Sequence, residues 1–184
     1  MTMQRLSRRM VLAGIATAPA AVRSAETLAW DFALPSLDGG TLDLGAFRGR
    51  VLLVTNTASF CGFAPQFTTL EALNRTKAAD GLTVIGMPSN DFNQEAATNA
   101  KVKELCELTY DVDFPMAGLS HVKGPEANPF YAWVRATRNW EPDWNFNKVL
   151  IGRDGRIAAL FRAPDVPDGP AVSKAMTAAL STGV

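Results

Sequence analysis

Histidine and cysteine are scarce in this chain. His121 is the only histidine among 184 residues, and Cys61 and Cys106 are the only cysteines. One histidine excludes two-His zinc sites and the His–carboxylate iron triad, although a Ser-His-Asp arrangement needs only one. Two cysteines are too few for a Cys₄ site or an iron–sulfur cradle; they suffice for one disulfide or one reactive pair. Neither sign of charge dominates, with 18 Lys and Arg against 18 Asp and Glu. That balance excludes a basic nucleic-acid binder and a highly charged disordered chain. No apolar run reaches the roughly 18 residues of a confident membrane span. Apolar side chains nevertheless make up 47% of the chain, enough at this length to bury one sizeable core. No metal-ligand set and no cofactor is expected.

The N-terminus reads as an address. Residues 1–25 contain Arg5, Arg8, Arg9 and Arg23 and no acid, and an apolar stretch from Met10 to Ala18 follows the arginine pair. Basic, then apolar, then small residues is the order of an export signal. Ser7-Arg8-Arg9-Met10-Val11-Leu12 resembles a bacterial twin-arginine signal, which implies delivery of the folded protein to the periplasm. Cleavage fits after Ala18-Pro19-Ala20 or after Val22-Arg23-Ser24, and a solvated basic tail is the plainer alternative. Four of the 18 basic residues lie in this segment, so residues 26–184 carry 14 bases against 18 acids, a net charge of −4. Such a surface has no evident affinity for nucleic acid or anionic lipid.

Residues 26–184 read as one alternating α/β domain. Val51-Leu52-Leu53-Val54 and Leu82 to Met87 are uninterrupted apolar runs, as expected of strands covered on both faces. Between them, Pro65 to Lys77 places Phe67, Leu70 and Leu73 at helical spacing, which suggests a parallel crossover. Asn99 to Thr109 reads as a helix with Val102, Leu105 and Cys106 on one face, Phe114 to Val122 as a strand, and Asn128 to Arg138 as a short helix. Val149-Leu150-Ile151 and Ile157 to Phe161 flank the hairpin turn Asp154-Gly155, and Pro170 to Ser181 reads as a closing helix. Asp38-Gly39-Gly40 marks the turn of a small N-terminal β-hairpin. Parallel β-α-β, then an antiparallel hairpin and a last helix, is the order of a thioredoxin-like fold: a central mixed sheet flanked by helices.

Cys61 follows the first buried strand. Sites in open α/β sheets gather at the carboxyl ends of strands, and the N-terminus of the next helix would favour a thiolate there. An inert packed cysteine is the bland alternative. The surrounding segment, Asn56-Thr57-Ala58-Ser59-Phe60-Cys61-Gly62-Phe63-Ala64-Pro65-Gln66-Phe67, resembles the active-site segment of the glutathione peroxidase family. Met87 to Glu95 is similar to that family's second motif and Trp144-Asn145-Phe146 to its third. The likeness runs over roughly residues 30–180 and includes Phe114-Pro115-Met116 and the Asp154-Gly155 hairpin.

The resemblance implies Cys61 as peroxidatic nucleophile, with Gln94, Trp144 and Asn145 completing a tetrad. The two amides and the indole N–H can donate to a sulfur anion or a peroxide oxygen. Taken singly, Trp144 also reads as a core aromatic, Asn145 as a turn residue and Gln94 as a solvated amide. Cys106 matches the resolving cysteine of thioredoxin-dependent, two-cysteine members. Its apolar helical face also suits a packing role. Resolution would require that helix to loosen, because bridged Cα atoms come within about 7 Å. Several positions depart from the family pattern: Phe60 stands where lysine is frequent, Ser89 replaces a common cysteine, Ala96 replaces a frequent proline, and the loop before Gln94 is one residue shorter. Arg138 to Asp143 lacks the insertion of tetrameric, glutathione-using members, which implies a monomer served by a thioredoxin-like protein reductant. Hydrogen peroxide and organic hydroperoxides are the implied substrates. The rival functions are a general thiol–disulfide oxidoreductase, disfavoured because Ala64 occupies the fourth position of a C-x-x-C, a peroxiredoxin, whose Thr-x-x-Cys setting is absent, and a peroxide-sensing redox protein. His121 has no assigned role.

Overall fold

The computed structural model describes residues 26–183; the expected export signal over residues 1–25 lies outside them. The N-terminal hairpin pairs β1 (Ala33–Pro35) with β2 (Thr41–Asp43) through the Asp38-Gly39-Gly40 turn, where both glycines take positive φ. The main sheet contains β3 (Val51–Thr57) and β4 (Leu82–Pro88), both buried at every residue, with β5 (Lys148–Ile151) and β6 (Ile157–Phe161), in the order β4-β3-β5-β6. β3 and β4 run parallel through the crossover helix α1 (Gln66–Lys77); β5 and β6 are antiparallel to their neighbours. This is the expected thioredoxin-like mixed sheet.

Alternation along the strands divides the core between two faces. Val51 and Leu53 pack with Phe67 and Leu70 of α1, Val102 and Cys106 of α2 (Asn99–Tyr110), and Val172 and Met176 of α4 (Pro170–Ser181). Leu52, Val54, Ile85 and Val149 face Phe130, Tyr131 and Val134 of α3 (Pro129–Arg138). Each such side chain contributes about 1.5–3 kcal/mol when fully buried. Thr98 and Asn128 cap α2 and α3 by accepting from the N–H groups of Lys101 and Tyr131, and prolines stand at the first turns of α3 and α4. The Asp154-Gly155 turn joins β5 to β6 as expected. Gly155 has φ +81°, and a Cβ there would collide with the Trp30 indole.

One expected strand is not formed. Over Phe114 to Val122 only two isolated bridges occur, Met116 with Gly86 and Ala117 with Ser36. Pro115 has no N–H to continue a ladder along β4 and contributes only its carbonyl, which accepts from Gly86 N–H at 3.0 Å.

The strand directions position the site. The carboxyl ends of parallel β3 and β4 and the start of antiparallel β5 share one edge of the sheet, so the segments after Thr57, after Pro88 and before Lys148 meet there.

Candidate active site

Asn56, near the end of β3, ties the third of those segments to the sheet. Its side-chain amide donates to the Trp144 carbonyl at 2.9 Å, and its side-chain oxygen accepts from Asn147 N–H at 3.0 Å. Its backbone carbonyl accepts from Phe146 N–H at 2.6 Å. The segment after β4 is clamped to the Cys61 loop in turn: Phe60 N–H donates to the Gln94 carbonyl at 3.0 Å, and Ser59 N–H to Glu95 Oε1 at 3.1 Å.

Cys61 is buried, 5% exposed, and its Sγ accepts the Phe63 N–H at 3.4 Å. Helix α1 starts only at Gln66, with Pro65 as its cap. The N–H that reaches the sulfur therefore belongs to the turn that leads into the helix. Asn145, fully buried, donates through Nδ2 to Gln94 Oε1 at 3.0 Å. With its oxygen engaged, Gln94 keeps its Nε2 hydrogens for another acceptor. Trp144 is 41% exposed, so it is no core residue, and its ring lies 5.4 Å from that of Phe92. Asn93, just before Gln94, has φ +56°, and Phe146, just after Asn145, has φ +61°. A bulky residue in the left-handed region costs about 1–3 kcal/mol and persists only where its surroundings hold it. Here those surroundings are Asn56 and Lys148, whose Nζ donates to the Phe146 carbonyl at 2.9 Å.

Cys106 lies toward the C-terminal end of α2, in the same apolar cluster as Cys61, and both thiols are free. Burial, and then the Glu95 carboxylate, push the Cys106 thiol up to about 12. Burial also pushes the Glu95 carboxyl above its ordinary value, against the pull of its Ser59 and Ala96 donors. Lys148 is fully buried, and that burial pulls its ammonium down to about 8, with Asp165 opposing. His121 is exposed, and its Nδ1 pairs with Asp91 Oδ1 at 2.5 Å, three residues before Gln94. The hydrogen bond and charge of Asp91 raise the imidazole pKa.

The structure thus joins Gln94 directly to Asn145, sets Trp144 beside them, and ties their segments to the loop that bears Cys61. The glutathione peroxidase family model matches residues 29–135. The chain belongs to the glutathione peroxidase family. A glutathione peroxidase of Lactococcus lactis subsp. cremoris is 38% identical over 144 residues, covering 76% of this chain and 92% of that protein. A hydroperoxy fatty acid reductase of Synechocystis is 35% identical over 150 residues, covering 76% and 89%. The crystal structure of Trgpx in apo form superposes with a TM-score of 0.69 at 29% identity, covering 86% of this chain and 99% of that one. As a member of the glutathione peroxidase family, the chain is a peroxide-reducing oxidoreductase, a thiol peroxidase acting on hydroperoxides.

Three residues that tie together the segments of this candidate site were not singled out from sequence. Asn56 carried a signal, as a polar residue extending an apolar run. Glu95 and Lys148 carried none beyond their charge, because their roles depend on groups brought in from other segments.

Proposed function

We propose that Cys61 is the peroxidatic nucleophile and that Gln94, Trp144 and Asn145 aim donors at the reacting atoms. The Cys61 thiolate attacks the terminal peroxide oxygen; the S–O bond forms as the O–O bond breaks, and the departing oxygen takes a proton to leave as water or an alcohol. The sulfur is oxidised by two electrons to sulfenic acid. Cys106 then condenses with it to a disulfide, and a thioredoxin-like dithiol reduces that disulfide. The last turns of α2 loosen for this step. The observation that carries the reading is the Phe63 N–H on Cys61 Sγ, a sulfur already held as an acceptor beside the segment bearing Gln94. A general disulfide exchanger would need its second thiol at position 64, where this chain has Ala64.

The enzyme acts as a monomer exported to the periplasm by its twin-arginine-like segment, and a local reductant there keeps the pair reduced. Neither nucleic acid nor a stably inserted membrane segment enters this reading. Phe60, 62% exposed beside Cys61, and half-exposed Trp144 give the site an apolar rim that suits an organic hydroperoxide. The same kcat/KM for hydrogen peroxide and a fatty acid hydroperoxide would contradict that preference.

Turnover tests the cycle. With hydrogen peroxide, activity supported by thioredoxin and its reductase is expected to exceed that supported by glutathione, to vanish in Cys61→Ser and to fall sharply in Cys106→Ser. Equal activity with glutathione in the parent and in Cys106→Ser would contradict the two-cysteine cycle.

A further inference from the structure

Glu95 is a carboxylate that the fold buries with no cation paired to it among the described residues. It is 7% exposed, and its Oε1 accepts two backbone donors, Ser59 N–H at 3.1 Å and Ala96 N–H at 2.8 Å. Its Oε2 is buried and accepts nothing among the described residues. A half-satisfied buried carboxylate is costly, and two backbone anchors would be met equally well by a neutral amide. The Ser59 hydroxyl is buried as well and makes no hydrogen bond among the described residues; its own N–H is on Glu95 Oε1, and the hydroxyl is close enough to the Glu95 carboxyl and the Cys106 thiol to influence both. Ser59 stands two residues before Cys61, and Ala96, next to Glu95, shares a buried cluster with Cys61 and Cys106, so an unfilled acceptor and an uncommitted hydroxyl border the region that holds both thiols.

We propose that Glu95, acting through the Ser59 hydroxyl, receives the proton of Cys106 as that thiol attacks the oxidised Cys61. The proposal rests on the two-cysteine reading above. In this step the Cys106 S–H proton passes to Ser59 Oγ while the Ser59 proton passes to Glu95 Oε2. The Cys106 sulfur forms the S–S bond, the Cys61 S–O bond breaks, and hydroxide leaves with the bonding pair and takes the proton back from Glu95 to become water. The peroxide already consumed supplied the oxidising equivalents, so no further oxidant is needed.

Burial and neighbouring charge show why such an acceptor is needed. Burial and the neighbouring carboxylates hold the Cys106 thiol well above its ordinary value, so little of it is ionised near neutral pH and attack by a pre-formed thiolate would be slow. Glu95 on its loop and Glu107 on α2 itself both oppose a thiolate at Cys106, while Asp38, Lys103 and Asp113 line the shallow cleft outside it. Moving the proton to Glu95 neutralises the stronger of the two opposing charges at the moment the sulfur needs its electrons. Glu95 and Cys106 then hold one proton between them in either state.

The test follows the two steps separately in the mature protein, by rapid mixing with one equivalent of hydrogen peroxide, trapping of sulfenic acid and counting of thiols over time. Glu95→Gln preserves shape and can keep both backbone bonds through its carbonyl oxygen. It is expected to form sulfenic acid at a rate within about twofold of the parent but to lose the Cys106 thiol about 100-fold more slowly. That slow step should accelerate steadily with rising pH, where the parent's levels off. Ser59→Ala, which leaves the carboxylate in place, should slow the same step about tenfold and spare the first. An unchanged second step in Glu95→Gln, or equal slowing of both steps, would overturn the proposal, the latter by marking Glu95 as a structural staple. Cys106→Ser separates the two ideas. Sulfenic acid that persists there upholds the two-cysteine reading whatever Glu95→Gln does, whereas sulfenic acid that disappears at the parent's rate overturns both.

Discussion

Asn145 Nδ2 donates to Gln94 Oε1 at 3.0 Å, a bond between residues 51 apart in sequence. It joins the segment after β4 to the segment before β5 and fixes which end of the Gln94 amide is left to donate. Asn145 is fully buried, and Phe146 behind it is held in the left-handed region by groups from β3 and β5. The pair is therefore set before any substrate arrives, which is how donors stabilise developing charge without reorganising.

Asn145→Ala should lower the rate of Cys61 oxidation by about 10²-fold, the usual effect of losing one such donor. Asn145→Asp should lose more, because a carboxylate there repels the Gln94 oxygen and, on the proposed reading, the thiolate as well. Single-turnover oxidation by hydrogen peroxide measures both, and equal rates in all three proteins would remove Asn145 from the site.

Asn56→Ala should destabilise the fold by about 2–4 kcal/mol, because the Trp144 carbonyl and the Asn147 N–H lose buried partners. Denaturant unfolding reads the stability. Cys61 oxidation should slow as well, since Trp144 and Asn145 are no longer tied to β3.

Lys148 predicts a pH dependence with a definite sign. Its ammonium is pulled by burial from 10.5 to about 8. Between those values the unfolded chain holds a proton that the folded chain has released, so this residue's contribution to stability rises with pH across that window. Cys106 and Tyr131 are both raised, chiefly by burial, and act in the opposite sense at alkaline pH. The difference between parent and Lys148→Met isolates the lysine. The parent should gain stability on the variant from pH 8 toward 10.5, and a constant difference would contradict the assignment.

Asp111 caps α2 at φ +52°, with its N–H on the carbonyls of Cys106 and Glu107. Asp111→Gly relieves the left-handed strain and should stabilise the protein by about 0.5–1 kcal/mol. The lost ion pair with Arg75 is exposed on both sides and matters little. If α2 must loosen at its end for Cys106 to reach Cys61, disulfide formation should slow by roughly twofold to fivefold in this variant, as that stability increment implies. Thermal unfolding and the thiol-loss rate measure the two effects.

Most of the architecture was legible because its signals are local. The apolar runs of β3 and β4 and the Asp154-Gly155 turn each declare themselves within a few residues. Phe114 to Val122 misled for the same reason: an apolar composition suggests a strand, while Pro115 limits the pairing to bridges. Among the site residues, Cys61, Gln94, Trp144 and Asn145 were nameable by resemblance, with the bond between Gln94 and Asn145 not foreseeable. Glu95 and Lys148 look like ordinary surface charges in sequence. Burial by distant segments, 36 residues away for the Ser59–Glu95 contact, makes them something else.

The most direct test of the account is a thiol count on the reduced protein before and after one equivalent of hydrogen peroxide, with Cys61→Ser and Cys106→Ser alongside. The account predicts loss of both thiols in the parent, none in Cys61→Ser, and a trappable sulfenic acid in Cys106→Ser. Survival of both parent thiols at peroxide levels that oxidise a working thiol peroxidase within seconds would contradict it.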